Sequence, residues 1–210
     1  MNSTNQKFIL ESPAFYTFTR HYKDRITAIY EMDYCFFDTK GFQLLQNGYT
    51  ARIRAIQSKN FKSHFEFKLN TNVLRSNSSK PINTVSAFLR PNDVQRVLSH
   101  QISLLLPTIL PSSIINTIKE KTHDSPLETV AIYKINRTFL TFEDVLIRCD
   151  KCTYDNNSYY EISYQANNST EALEKVKGLL NSLNISFSFS TLSKLSRIDV
   201  FVPHLNMLPK

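Results

Sequence analysis

The sequence predicts an α+β fold in which strands fall into two groups, with helices between and after them. Apolar and polar residues alternate with a period of two in several segments, most clearly in Ala51–Ile56 and Phe65–Leu69, as in strands with one buried face. Helix start signals fall between the two strand groups and after the second. A parallel α/β fold would place a helix after each strand, so this order favours α+β.

The composition is that of an ordinary globular protein, and the length favours one domain over residues 1–210. Of the 210 residues, 41% are hydrophobic and 20% are charged. No run approaches the roughly 18 apolar residues of a membrane span. No apolar stretch of the secretory type follows the first seven residues. We therefore expect a cytoplasmic protein with no membrane span.

The net charge favours anionic partners. Lys and Arg total 25 against 18 Asp and Glu, which gives a formal net charge of +7. Such a balance suits nucleotides, polyphosphate, nucleic acid or a membrane surface, and charge alone does not choose among them.

The first half of the chain predicts one helix among four strands. We expect the helix to begin at Ser12 as N-cap, with Pro13 at its first position, and to run to about Arg25. Residues 70–83 are polar and predict a flexible lid loop. The predicted strands are Lys7–Leu10, Asp33–Asp38, Gly48–Ile56 and His64–Leu69.

The second half predicts helices around three further strands. The predicted strands are Thr129–Leu140, Asp144–Asp150 and Tyr159–Tyr164, and the helices are Pro91 to about Leu106 and Ser112–Lys121. An amphipathic helix follows, with Thr170 as its expected N-cap.

Each of the main strands carries charge on one face and apolar or small residues on the other. Arg52 and Arg54 share a face, as do Arg148 and Asp150. One interpretation is a sheet with an apolar inside and a solvated outside. The alternative is that the charged faces line a barrel whose apolar outer surface is covered by helices, so that Arg and Lys converge to bind phosphates.

Cys149 and Cys152 form a C-x-x-C pair, which is compatible with a metal or redox site. No second pair exists to complete a zinc site, and Cys149 lies in a strand-like run. We interpret both cysteines as structural residues of a protein from a reducing compartment.

An ordered set of motifs resembles the CYTH (triphosphate tunnel) family. The segments are Tyr34–Thr39, Ala51–Arg54, Phe65–Lys68, Lys134 with Arg137, Ile147–Asp150, Tyr160–Ser163 and Ser193-Lys194. The resemblance implies a closed antiparallel barrel of about eight strands with helices packed outside. It also implies a lumen that binds triphosphates, as in thiamine triphosphatases, tripolyphosphatases, adenylate cyclases, RNA triphosphatases and, more distantly, polyphosphate polymerases.

The resemblance implies a basic site with a metal. The phosphate-binding residues would be Lys7, Arg52, Arg54, Lys68, Lys134, Arg137 and Lys194, to which we add Arg148 because it shares a face with Asp150. Glu161, Glu66 and Asp150 would hold Mg²⁺ or Mn²⁺, and Glu161, Glu66 and Lys68 would be catalytic. On a regular strand Lys134 and Arg137 point to opposite faces, so one of the two does not fit.

The acidic half of the family pattern is depleted. Ser3–Lys7 keeps the lysine of the first-strand E-x-E-x-K motif and loses both glutamates, and Ser163 replaces the second acid of E-I-E. Glu66 is a partial replacement as a metal ligand, or else it pairs with Lys68 or His64.

From the resemblance as a whole, we expect a protein that binds triphosphate or polyphosphate with metal-dependent triphosphatase activity. The alternatives are an impaired binding module and a cyclase-like or polyphosphate polymerase-like enzyme, and nucleic acid is expected only as an RNA 5′-triphosphate end.

Overall fold

The computed structural model describes residues 7–57, 64–71, 83–98, 109–166 and 168–190. The strands are β1 (Lys7–Leu10), β2 (Ile26–Asp38), β3 (Thr50–Gln57), β4 (His64–Asn70), β5 (Thr84–Leu89), β6 (Glu128–Phe142), β7 (Val145–Tyr154), β8 (Asn157–Gln165) and β9 (Ser188–Ser190). The helices are α1 (Ser12–His21), α2 (Gln43–Gln46), α3 (Pro91–Leu98), α4 (Ser112–Thr122) and α5 (Ser169–Asn181), and a 3₁₀ turn covers Lys23–Arg25. The predicted α+β class is confirmed as a fold rich in antiparallel sheet with few helices.

The strand order is β5-β4-β3-β2-β6-β7-β8-β1-β9. The registered pairs β1–β8, β1–β9, β3–β4, β4–β5 and β7–β8 are all antiparallel. The described residues contain nine strands, whereas the sequence patterns predicted seven and the family resemblance implied about eight; β5 and β9 are the two that the patterns did not predict. Closure of the sheet into a barrel stays a prediction.

The chain divides into two compact units, and the long strands β2 and β6 contribute to both. Among the described residues, the first unit comprises 7–32, 134–166 and 168–190, and the second comprises 33–57, 64–71, 83–98 and 109–133. The expectation of one domain over residues 1–210 stays a prediction.

In the first unit, one face of the sheet packs against α1 and α5. Phe15 and Phe18 of α1 and Val176 of α5 are buried in a cluster with strand residues such as Ile147 and Ile162. Ala172 and Leu180 extend the same stripe of α5, as the predicted amphipathic pattern required. The strand residues of this cluster alternate along β7 and β8, so their intervening neighbours point to the opposite face.

In the second unit, the apolar face of β3 and β4 packs against α3 and α4. Ile53 and Phe67 are directly paired across the two strands and are almost fully buried. Val94 of α3 and Ile114 of α4 belong to the same cluster. The alternation again leaves the charged residues of these strands on the opposite face.

Two predicted helix starts were wrong by one or two residues. The N-cap of α1 is Glu11, and the Ser12 hydroxyl instead donates a hydrogen bond to the Tyr160 hydroxyl at 3.1 Å. The N-cap of α5 is Asn168, whose side chain accepts from the backbone N–H groups of Thr170 and Glu171. An amide oxygen at that position satisfies two donors that the helix leaves unpaired.

Several predicted boundaries also differ from the structure. The first helix ends at His21, and β2 begins at Ile26, well before the predicted start. Around the predicted lid loop, the Thr71 N–H donates to the Asn83 carbonyl, while residues 72–82 lie outside the described part. The described part of the helix predicted to reach Leu106 ends at Leu98. Within the described residues, no helix is long and apolar enough to cross a bilayer.

Candidate functional site

The second unit carries a cluster of cations on the face of β3 and β4 that points away from its helices. Arg52 is directly opposite Lys68, and Arg54 is directly opposite Glu66. We call these four residues the cation face. Three positive side chains and one carboxylate leave an excess of positive charge on the two strands. Because like charges on neighbouring strands repel, this face would be stabilised by an anion.

Glu66 is the counter-charge of this face. Its carboxylate forms an ion pair with the Arg54 guanidinium and lies 3.2 Å from Lys68 Nζ. Glu66 is 6% exposed. The predicted pairing of Glu66 with Lys68 is therefore confirmed. Arg54 is a second partner of Glu66, and this ion pair was not predicted from the sequence. The predicted roles of Glu66 as metal ligand and catalytic group stay predictions.

Arg52 is held by aromatic rings. Its guanidinium carbon lies 5.0 Å from the Tyr34 ring centroid and 6.0 Å from that of Phe36. Its Nε is buried and has no hydrogen-bond acceptor in the described part of the chain. Burial lowers the pKa of Arg52, because removal from water penalises the charged form. A buried guanidinium with an unused donor is costly, and an anionic ligand would offset that cost.

The first unit carries two buried carboxylates that face each other. Asp150 of β7 and Glu161 of β8 are directly opposite in the register, and neither is exposed to solvent. Two like charges at paired positions repel, so this arrangement requires positive charge nearby. The interpretation of the charged faces as a solvated outside is therefore wrong for these residues.

Three cations surround the carboxylates. Arg137 Nε and Nη2 donate to the two oxygens of Asp150 at 2.7 and 2.8 Å, a bidentate pair. Arg148 Nε lies 3.7 Å from Asp150, and Lys7 Nζ lies 4.0 Å from Glu161. Because Arg148 Nε is buried without a hydrogen-bond acceptor in the described residues, it retains capacity for an anionic ligand.

Cys152 is the third potential ligand beside these two acids. Its sulfur and one carboxylate oxygen from each of Asp150 and Glu161 lie within 4.8 Å of one another, and all three residues are buried. Cys149 lies on the other face of β7, in the apolar cluster of the first unit, where burial raises the pKa of its thiol. The C-x-x-C sequence is therefore not a chelating pair, because its two sulfurs belong to opposite faces.

The donor set fits a divalent cation. Two buried carboxylates supply oxygen ligands, and a Mg²⁺ or Mn²⁺ ion commonly completes its shell with water and substrate phosphates. The predicted roles of Asp150 and Glu161 as metal ligands stay predictions. The third predicted ligand, Glu66, belongs to the second unit and pairs with Arg54 and Lys68.

The remaining predicted residues differ in their surroundings. Lys134 is exposed and alternates with the buried Tyr133 and Ile135, whereas Arg137 is the member of the K-x-x-R pair that contacts a carboxylate. Lys194 lies outside the described residues. The phosphate-binding roles of both lysines stay predictions.

Sequence reasoning missed two features of these sites. Cys152 is two residues from Asp150, so the period-two rule already placed both on one face. Tyr34 was noted only as part of a family motif, and its contact with Arg52 depends on strand pairing that one sequence does not fix.

Comparison with known proteins identifies the family. The model of the family described as CYTH domain matches residues 7–197. No curated protein matches the sequence at a significant level.

Solved structures show the same fold at low identity. A Hippeastrum protein described as an adenylyl cyclase with a dominant triphosphatase activity has a TM-score of 0.72 at 15% identity, over 93% of each chain. A Bacillus halodurans protein described as an adenylate cyclase has a TM-score of 0.63 at 16% identity, over 93% of this chain and 96% of its own. A Pyrococcus horikoshii protein has a TM-score of 0.53 at 11% identity, over 91% and 95%.

Proposed function

Because this chain belongs to the CYTH domain family, we propose that it binds triphosphate or polyphosphate anions and hydrolyses a phosphoanhydride bond in a metal-dependent reaction. Water would add across a P–O–P linkage, so one P–O bond forms and the bridging P–O bond breaks. Two of the similar structures are described as adenylate cyclases, one of them with dominant triphosphatase activity, which supports this reaction class.

The observation that carries the proposal is the environment of Arg52. Its guanidinium is buried against Tyr34, and its Nε lacks an acceptor among the described residues. Lys68 is directly opposite, so two cations share this part of the cation face. Phosphate oxygens would accept from both and would supply the missing negative charge.

The chain's own residues in the first unit suit the chemistry of phosphoryl transfer. Asp150 and Glu161 would hold a divalent cation, which supplies electrostatic stabilisation of the charge on the transferred phosphoryl group. Arg137 keeps Asp150 in a fixed orientation through its two hydrogen bonds. Arg148 and Lys7 lie beside the carboxylates and would bind nonbridging phosphate oxygens.

A second candidate function is anion binding without turnover. Both oxygens of Asp150 already accept hydrogen bonds from Arg137, and Ser163 stands where the family pattern has an acid. A cation held by few carboxylates binds weakly, because each lost carboxylate removes charge from its shell. In this second function, anions bind at the cation face, but no metal-dependent hydrolysis follows.

The test is phosphate release from tripolyphosphate, ATP and thiamine triphosphate in the presence of Mg²⁺, Mn²⁺ or EDTA. Metal-dependent release that EDTA abolishes is the expected result. Binding of these anions without release would select the binding module, and cyclic nucleotide formed from ATP would select a cyclase. Neither binding nor release would overturn the proposal.

A further inference from the structure

We infer that Cys152, with Asp150 and Glu161, forms a mixed sulfur and oxygen site that binds Zn²⁺ in preference to Mg²⁺. The inference rests on the metal site of the proposed function and deepens it by naming the class of metal. We call these three residues the carboxylate–thiol site.

Strand geometry brings the three ligands together. Asp150 and Cys152 are two residues apart on β7 and therefore share a face. Glu161 of β8 is paired directly with Asp150, and Cys152 is paired with Tyr159, two residues away along β8. All three side chains are fully buried, and their ligand atoms lie within 4.8 Å of one another. Two rigid, paired strands thus position the donors before any ion binds.

The donor chemistry selects the metal. Mg²⁺ prefers oxygen ligands and loses its water reluctantly, so a sulfur ligand contributes little to its binding. Zn²⁺ accepts both thiolate and carboxylate ligands, and its affinity exceeds that of Mn²⁺ in sites of mixed donors. A site with one sulfur and two carboxylates therefore favours Zn²⁺.

The neighbouring cations do not preclude this site. Arg137 donates to both oxygens of Asp150, but each carboxylate oxygen has two lone pairs and can accept from Arg137 while binding a metal. Carboxylates that bind metals are commonly held by such a partner. Arg148 and Lys7 lie 3.7 and 4.0 Å from the acids and lower the affinity for any cation, so the two carboxylates need the contribution of the thiol.

Cys149 provides a matched control. It lies on the same strand as Cys152 and is equally buried, but its thiol packs in the apolar cluster of the first unit. Replacement of Cys149 by Ser removes one thiol from β7 without touching the carboxylate–thiol site.

The experiment titrates the full chain, stripped with EDTA and dialysed, with Zn²⁺ and Mg²⁺ by calorimetry and with Cd²⁺ by ultraviolet absorption. We expect one equivalent of Cd²⁺ to produce a thiolate charge-transfer band in the unsubstituted protein and in Cys149→Ser. In Cys152→Ser the band should disappear and Zn²⁺ affinity should fall at least about tenfold, with Mg²⁺ affinity changed less than about threefold. A band retained in Cys152→Ser, or no band in the unsubstituted protein, would overturn the inference.

A measurement on the unsubstituted protein covers the case in which Cys152→Ser fails to fold. X-ray absorption of the Zn²⁺-loaded chain should show one sulfur at about 2.3 Å, and a shell of only oxygen and nitrogen would overturn the inference. Metal-dependent phosphate release together with a shell of only oxygen and nitrogen would support the proposed function and contradict the role of Cys152 as a ligand. A shell that contains sulfur, without anion binding or phosphate release, would support the role of Cys152 and contradict the proposed function.

Discussion

At the scale of single residues, the two groups of charged side chains differ in their balance of charge. The cation face has three basic residues and one acid, whereas three basic residues surround the two acids Asp150 and Glu161. Both groups carry an excess of positive charge, and the excess is larger on the cation face, which therefore favours an added anion more strongly. The consequences of this difference are specific to the residue replaced.

Glu66→Gln should raise the affinity for tripolyphosphate in EDTA by a few-fold. The substitution removes the negative charge that competes for Arg54 and Lys68, while an amide of the same shape remains. Calorimetry measures the change, with Glu120→Gln as control because Glu120 is an exposed acid of the same unit. A lower affinity than that of the unsubstituted protein would show that Glu66 assists anion binding and would contradict its role as counter-charge.

Glu161→Gln should abolish metal-dependent phosphate release and change tripolyphosphate affinity in EDTA less than about threefold. The amide keeps the shape of the side chain but loses the charge that binds the cation. Glu143→Gln is the matched control, since Glu143 is an exposed acid of the same unit that pairs with Lys175. Full phosphate release by the Glu161 variant would exclude it as a metal ligand.

At the scale of secondary structure elements, a buried carboxylate fixes the connection between β2 and α2. Asp38 accepts hydrogen bonds from the backbone N–H groups of Thr39, Leu44 and Leu45 at 2.7, 2.9 and 3.0 Å. These contacts satisfy donors at the start of a helix that would otherwise be buried without partners. The aspartate of the Tyr34–Thr39 motif therefore has a structural role.

Asp38→Ala should lower the free energy of unfolding by about 2–3 kcal/mol, because it leaves buried backbone donors unsatisfied. Urea unfolding measures the loss. Asp24→Ala, which replaces an exposed aspartate, should change stability by less than about 0.5 kcal/mol. Equal stability of the two variants would show that water replaces the carboxylate of Asp38.

The secondary structure elements also differ in how well a single sequence predicts them. Alternation placed Arg52, Arg54, Asp150 and Glu161 on the correct faces, because the period of a strand is a local property. The N-cap of α5 was misplaced because residues 168–170 are Asn, Ser and Thr, all favourable N-cap residues. Strand β9 was missed because its three residues carry no pattern and are defined by pairing with β1.

Contacts between residues of different strands could not be predicted in the same way. The proximity of Cys152 to Glu161 and of Arg52 to Tyr34 depends on which strands are neighbours and in which register. These contacts join residues that are distant in sequence, so no local pattern encodes them. Family motifs singled out Asp150 and Glu161 but gave no indication of the thiol of Cys152 beside them.

At the scale of the whole molecule, ligand binding should be visible as an increase in stability. An anion that binds only the folded chain adds about 2.7 kcal/mol at a concentration of 100 times its Kd. For a chain of this length we expect Tm to rise by about 5–10 °C in tripolyphosphate. Sulfate at equal ionic strength is the control. An equal rise with both anions would indicate a general salt effect.

The most direct test of the central claim is the affinity of the Arg52→Ala protein for tripolyphosphate, measured by calorimetry in EDTA. The proposal predicts a loss of about 10- to 100-fold, because one charge-assisted hydrogen bond contributes about 1.5–3 kcal/mol. Arg90→Ala, at an exposed arginine of the same unit, should bind as the unsubstituted protein does. If Arg52→Ala bound tripolyphosphate with unchanged affinity, the cation face would not be the phosphate-binding site and the proposed function would be contradicted.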